Sequence, residues 1–126
     1  MKLFSITAVL FLTLLTGCAS APSQQEIASA DYGSYPSNYE SIVKGFYDNR
    51  LKDPNSVQYR TITGPRKFYL GNRFSGAQYG YLVCATYNAK NGFGAYTGFD
   101  TDGLLLKDGV VTKYLQHGQW GAQQMC

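Results

Sequence analysis

A chain of 126 residues with a formal net charge of +3 has room for one domain around one hydrophobic core, and its charge is too small to argue for nucleic acid or an acidic polymer as partner. No Lys/Arg block stands out. Eleven tyrosines and fourteen glycines against a single histidine and three cysteines describe a chain rich in aromatic surface and turns and poor in metal ligands.

At the amino terminus Lys2 precedes an apolar run from Leu3 to Leu15. It is about thirteen residues long, the length of a signal-peptide core, where a membrane-spanning helix needs about twenty. The run ends in Leu15-Thr16-Gly17-Cys18, which resembles the lipobox of bacterial lipoprotein precursors. The resemblance implies that residues 1–17 are removed as a signal peptide and that the Cys18 thiol carries a diacylglycerol. The new amino terminus would be acylated as well. Two or three acyl chains hold durably where one holds marginally, each buried methylene contributing about 0.8 kcal/mol. An ordinary secretory signal cut after Ala19-Ser20-Ala21 is the alternative. Ala19, where the enterobacterial sorting pattern would place Asp for inner-membrane retention, favours the periplasmic face of the outer membrane.

With Cys18 lipidated, Cys84 and Cys126 remain, and in an oxidising periplasm they most simply form a disulfide. Closing about 43 residues would stabilise the fold by about 4 kcal/mol through loop entropy. Two free thiols or a metal pair stay open as alternatives.

Residues 18–36 read as the lipidated cysteine and a flexible tether, small, polar and proline-punctuated, reaching at most about 60 Å. A single globular domain is expected over 37–126. Ser37 and Glu40 are spaced for a capping box. Tyr39, Ile42, Val43, Phe46 and Tyr47 then recur at helical spacing, a face for packing on a sheet, and Asp53-Pro54 is expected to end the helix. Asp53-Pro54-Asn55-Ser56 reads as a turn or one short helical turn with Pro54 first.

Strand patterns follow over Val57–Thr63, Lys67–Leu70 and Gln78–Tyr87. The last is apolar on both sides, with Tyr79, Tyr81, Val83 and Ala85 opposite Leu82 and Cys84, as a central strand would be. Gly103–Lys107 and Val110–Tyr114 are joined by Asp108-Gly109, a hairpin signal. The tail, with Trp120 and Met125, is expected to pack back on the core, pinned by Cys126. One helix followed by four or five short strands, with little room for crossovers, predicts an α+β fold: an N-terminal amphipathic helix on a small antiparallel sheet with one disulfide.

The most distinctive stretch runs Asn88-Ala89-Lys90-Asn91-Gly92-Phe93-Gly94-Ala95-Tyr96-Thr97-Gly98. Together with Leu51-Lys52-Asp53-Pro54-Asn55-Ser56-Val57 and the two cysteines, it resembles a domain of small uncharacterised proteobacterial and phage lipoproteins. Those pair a Lys-Asp-Pro-x-Ser element with a cysteine strand running into Asn-x-Lys-Asn-x-x-Gly-x-Tyr-x-Gly, and the match covers about residues 38–126. Ala95 stands where the pattern has a second glycine. The resemblance implies a fold unit and a compartment, and no activity. The loop is either a shaped connection held by its own hydrogen bonds or a recognition loop, with Asn88, Lys90, Asn91, Phe93 and Tyr96 as the contacting residues.

Catalysis finds little support. A Ser-His-Asp reading must use His117, which beside Gly118 reads as a rim residue, and no serine has nucleophile-elbow spacing. Carboxylate pairs would draw on Glu26 in the tether or on Asp100, Asp102 and Asp108 in turn-like sequence. No phosphate loop occurs. The expectation is therefore a non-enzyme without cofactor or metal, held to the membrane through Cys18, serving as an accessory or protein-binding component of the cell envelope with an envelope protein as partner and no nucleic acid. The alternative is a binder of a soluble periplasmic ligand. Ser75-Gly76-Ala77-Gln78-Tyr79 resembles the Ser-Gly-Ala-x-Tyr of membrane-bound lysozyme inhibitors, although their downstream Trp-Lys-Gly element is missing.

Overall fold

The computed structural model describes residues 21–72, 76–119 and 125–126. The expected signal peptide over residues 1–17, the Leu15-Thr16-Gly17-Cys18 stretch, Ala19, Ser75 and Trp120 lie outside the described residues. Five strands form one antiparallel sheet: β1 (Gln58–Ile62), β2 (Arg66–Asn72), β3 (Gly76–Asn88), β4 (Asp100–Lys107) and β5 (Val110–Leu115). Two α-helices precede them, α1 (Gln24–Ser29) and α2 (Tyr39–Asp48).

β3 is the spine. At 13 residues it is long enough for β1 and β2 to lie end to end along one of its edges. β1 pairs with Ala85–Asn88 and β2 with Gly76–Leu82. Thr63 bridges the gap between them, its amide donating to the Cys84 carbonyl and its hydroxyl accepting from the Cys84 amide. The other edge of β3 carries β4 and then β5. The β4–β5 turn takes positive φ at both Asp108 (48°) and Gly109 (80°), the geometry that makes Asp-Gly a tight hairpin. At Gly80 an added Cβ would stand 2.6 Å from the Leu106 carbonyl oxygen, so only glycine lets β4 approach there.

Alternation along β3 and β4 builds two cores. On one face Val83, Ala85, Leu104 and Leu106 meet Val43 and Tyr47 of α2, all fully buried. On the other face Leu82 and Cys84 pack against Met125, with Phe68, Leu70 and Leu115 around them. Cys84 and Cys126 have their sulfur atoms 2.08 Å apart, at disulfide distance. Arg66 donates to the Met125 carbonyl from β2, a second hold on the chain end.

Three expectations need correction. α2 ends at Asp48, well before Asp53-Pro54, because the Tyr47 carbonyl collects the Asn49, Arg50 and Leu51 amides and closes the last turn. Asn38, not Ser37, is its N-cap and makes no side-chain cap bond; the reciprocal capping box belongs to Ser23 and Glu26 at the start of α1. Finally, the chain expected to be a tether up to residue 36 joins the fold earlier. Tyr32 is buried, its ring 5.4 Å from Tyr79 and 6.3 Å from Tyr81, and its hydroxyl donates to the Ile27 carbonyl. Asp31 pairs with Lys107 at 3.2 Å, and the Ser34 amide donates to Asp108. The folded unit thus begins by Asp31, docked at the β4–β5 turn. Pro54–Ser56 forms the expected single turn, a 3-10 helix with Pro54 leading.

Candidate functional site

Asp102, expected in a turn, lies instead within β4 and is fully buried. It shares the α2-facing side of β4 with Leu104 and Leu106, so the strand carries a carboxylate into an apolar core. Burying an ionised carboxylate costs several kcal/mol unless its oxygens are satisfied. Three tyrosine hydroxyls donate to its Oδ2: Tyr47 at 2.9 Å, Tyr87 at 2.8 Å and Tyr114 at 2.7 Å. The His117 backbone amide donates to Oδ1 at 2.7 Å. The donors come from α2, β3, β5 and the chain after β5, so one carboxylate ties four segments together. Charge-assisted bonds of this kind are about twice as strong as neutral ones.

The tyrosines respond in kind. Burial, then the Asp102 charge, pushes the Tyr47 hydroxyl far above its usual range, and burial with the bond to Asp102 does the same for Tyr87. Tyr114 is pushed up to about 12, by burial first and its bond to Asp102 next. Tyr59, whose burial and neighbouring Asp48 act alike, also rises to about 12. Because the fold favours the neutral phenols, their contribution is complete below the unfolded value near 10 and is lost as pH rises through about 12. The melting temperature should hold level from pH 7 to 9 and fall above about pH 10. Phenolate absorbance of the buried tyrosines should then appear together with unfolding; early, non-cooperative titration of every tyrosine would contradict the arrangement.

Tyr87 and Tyr114 form the floor of a cleft of about 460 Å³. One wall is the chain leaving α2, with Arg50, Leu51 and Lys52; the other is the loop after β3, with Lys90 and Asn91. Asp100 and Gln116 close the end. The Arg50 guanidinium lies 4.4 Å over the Tyr114 ring, a cation–π placement that fixes its head on a floor already held by Asp102. Asp100 pairs with the exposed His117 at 3.3 Å. Among the described residues, Arg50, Lys52 and Lys90 have no carboxylate within ion-pair distance; the pairs found are Lys44–Glu40, Lys107–Asp31 and His117–Asp100.

The loop residues divide between architecture and display. Asn88 is buried and accepts the Gly98 amide, closing the loop's base. Asn91 accepts the Phe93 and Ala95 amides and shapes the tip. Lys90 and Tyr96 pair across the loop, with the Lys90 ammonium 5.6 Å from the Tyr96 ring. Both are fastened to the 3-10 turn through Ser56, whose hydroxyl accepts the Lys90 amide and whose carbonyl accepts the Tyr96 hydroxyl. Phe93, 97% exposed, is presented to solvent at the tip. Of the five candidate contacts, then, Lys90 and Asn91 line the cleft and Phe93 is exposed at the loop tip. Asn88 and Asn91 hold the loop, and Tyr96 does some of both.

Ser56 also donates to the Asp53 carbonyl, so it is the joint between the Lys-Asp-Pro-x-Ser turn and the loop. Ser56→Ala should cost about 1–2 kcal/mol and increase proteolysis within residues 90–97, read by urea unfolding and limited digestion. An unchanged loop would mean that it is held elsewhere.

What sequence reasoning missed here is the cleft floor. Asp102 alternates in step with Leu104 and Leu106, and that register in a tyrosine-rich chain was a usable signal for a buried, phenol-bonded carboxylate. Comparison with known proteins returns no match: no family model, no curated protein and no solved structure is significantly similar to the chain.

Proposed function

We propose that the chain is a non-catalytic lipoprotein of the bacterial outer membrane, anchored through Cys18 on the periplasmic face, whose cleft and adjoining loop dock a component of the cell envelope. The observation that carries the binding reading is the contrast within the site. The buried carboxylate, the group best placed for acid–base work, has both oxygens consumed by four donors. What the cleft offers to solvent is three cations without carboxylate partners among the described residues, over two aromatic rings, with an exposed phenylalanine in the loop that forms one wall. Such a surface recognises and holds. The lipobox-like residues at 15–18 supply the anchoring part of the proposal, and the sequence after the apolar run supports it.

The test is position-specific photo-crosslinking in living cells. A crosslinker at Lys52 or Phe93 should give a discrete adduct, while one at Lys113 on exposed β5 should give none. Equal adducts from all three positions, or none from the cleft, would defeat the docking reading. Potent lysozyme inhibition by the purified protein would replace it with the soluble-ligand role.

A further inference from the structure

The cleft and the amino-terminal segment lie at opposite ends of the sheet. Tyr32 and Tyr35 pack on Tyr79 and Tyr81 near the start of β3, and Asp31 and Ser34 hold the β4–β5 turn. The cleft floor begins at Tyr87, paired with Asp100 at the far ends of the same strands. Six residues of strand separate Tyr81 from Tyr87, about 20 Å. Ser23, where α1 begins, is five residues from Cys18, so an anchor there is at most about 18 Å away. If the chain is held at Cys18, the turn end is the end nearer the point of attachment and the cleft is the end farther from it.

The chemistry of the cleft narrows the occupant. Three cations face one carboxylate, Asp100, a net charge of +2 on the lining. The cations come from two separate walls, Arg50 and Lys52 after α2 and Lys90 in the loop, which suits several anionic groups better than one compact phosphate. Asp100 disfavours a phosphate dianion and would accept from an ammonium. The size lies in the range that takes small molecules or a few residues of peptide. Arg50, stacked on Tyr114, presents its planar fork to a carboxylate without further ordering.

We propose that the cleft binds a short acidic peptide, with its carboxylates on Arg50, Lys52 and Lys90 and its free amino group at Asp100. This rests on the cleft being the working surface. The probe is the tripeptide Ala-Glu-Glu with free ends, carrying three carboxylates and one ammonium, titrated into the purified full chain by NMR and calorimetry. Shifts should be confined to the cleft residues, and binding should weaken as salt rises. Arg50→Gln and Lys90→Gln should each weaken binding about tenfold or more, with Lys113→Gln unchanged. N-acetylation of the peptide should also weaken it, through loss of the Asp100 contact.

Inorganic phosphate, or vesicles of phosphatidylglycerol and phosphatidylethanolamine, binding more tightly than the peptide with the same sensitivity to Arg50→Gln would overturn the peptide assignment and name a phosphate ligand, free or in a headgroup. No binding of any probe, while Lys52 and Phe93 still crosslink in cells, would also overturn it and leave the docking reading standing. Loss of both the binding and the crosslinks would remove the two together.

Discussion

Asp102→Ala is expected to lower stability by about 3–5 kcal/mol. The truncation leaves three phenol hydroxyls and one backbone amide without their shared acceptor in a site that is fully buried in the folded chain. Each abandoned donor adds its own desolvation cost. Tyr114→Phe, which removes one of the three phenol donors and keeps the ring, should cost only about 1–2 kcal/mol. In the double variant the phenol that would have been stranded is gone, so the combined loss should be smaller than the sum. Urea unfolding of the four proteins measures this directly. A loss below about 1 kcal/mol for Asp102→Ala, or strict additivity, would show that the carboxylate is not what joins these segments.

Removing the Cys84–Cys126 link should cost about 4 kcal/mol, from the entropy that a cross-link spanning 42 positions takes from the unfolded chain. In a domain of this size that is a fall of about 20 °C in melting temperature. The native side of the balance should suffer as well. Met125 beside Cys126 caps the second core over Leu82, and Arg66 reaches the Met125 carbonyl. Cys84→Ala and Cys126→Ala should therefore have equal effects, with the double variant no worse than either one, and reductant should reproduce the loss in the parent chain. Independent, additive effects would rule out the link.

The parts of the fold legible in the sequence were those set by local rules. Asp108-Gly109 demands two positive φ values and so dictated the β4–β5 hairpin. The helical recurrence through Val43 and Tyr47 gave the face of α2, and apolar residues on both sides of β3 marked it as central. Features set by long-range partners stayed hidden. Tyr32 and Tyr35 sit among small polar residues with no period, and their anchorage depends on Tyr79 and Tyr81, more than forty positions away. The length of α2 was misjudged because the Tyr47 carbonyl ends it locally, without the proline. Of the candidate loop, sequence composition identified the stretch but not the division of labour. Only the contacts separate Asn88 and Asn91, which bond backbone, from Lys90 and Phe93, which face outward. Arg50 drew no notice in the sequence because its role comes from lying over Tyr114.

The docked amino-terminal segment changes what the proposed anchor does. A long tether would let the domain roam; a fold that begins by Asp31, with α1 starting at Gln24, would leave the β4–β5 turn nearer the point of attachment than the cleft is. Whether the protein works this way depends on the thiol of Cys18. Intact mass spectrometry of the protein extracted from membranes is the decisive measurement: a polypeptide starting at Cys18 and heavier by a diacylglycerol and an amide-linked fatty acid is the expected result, and an unacylated chain with a free amino terminus at any other residue would contradict it.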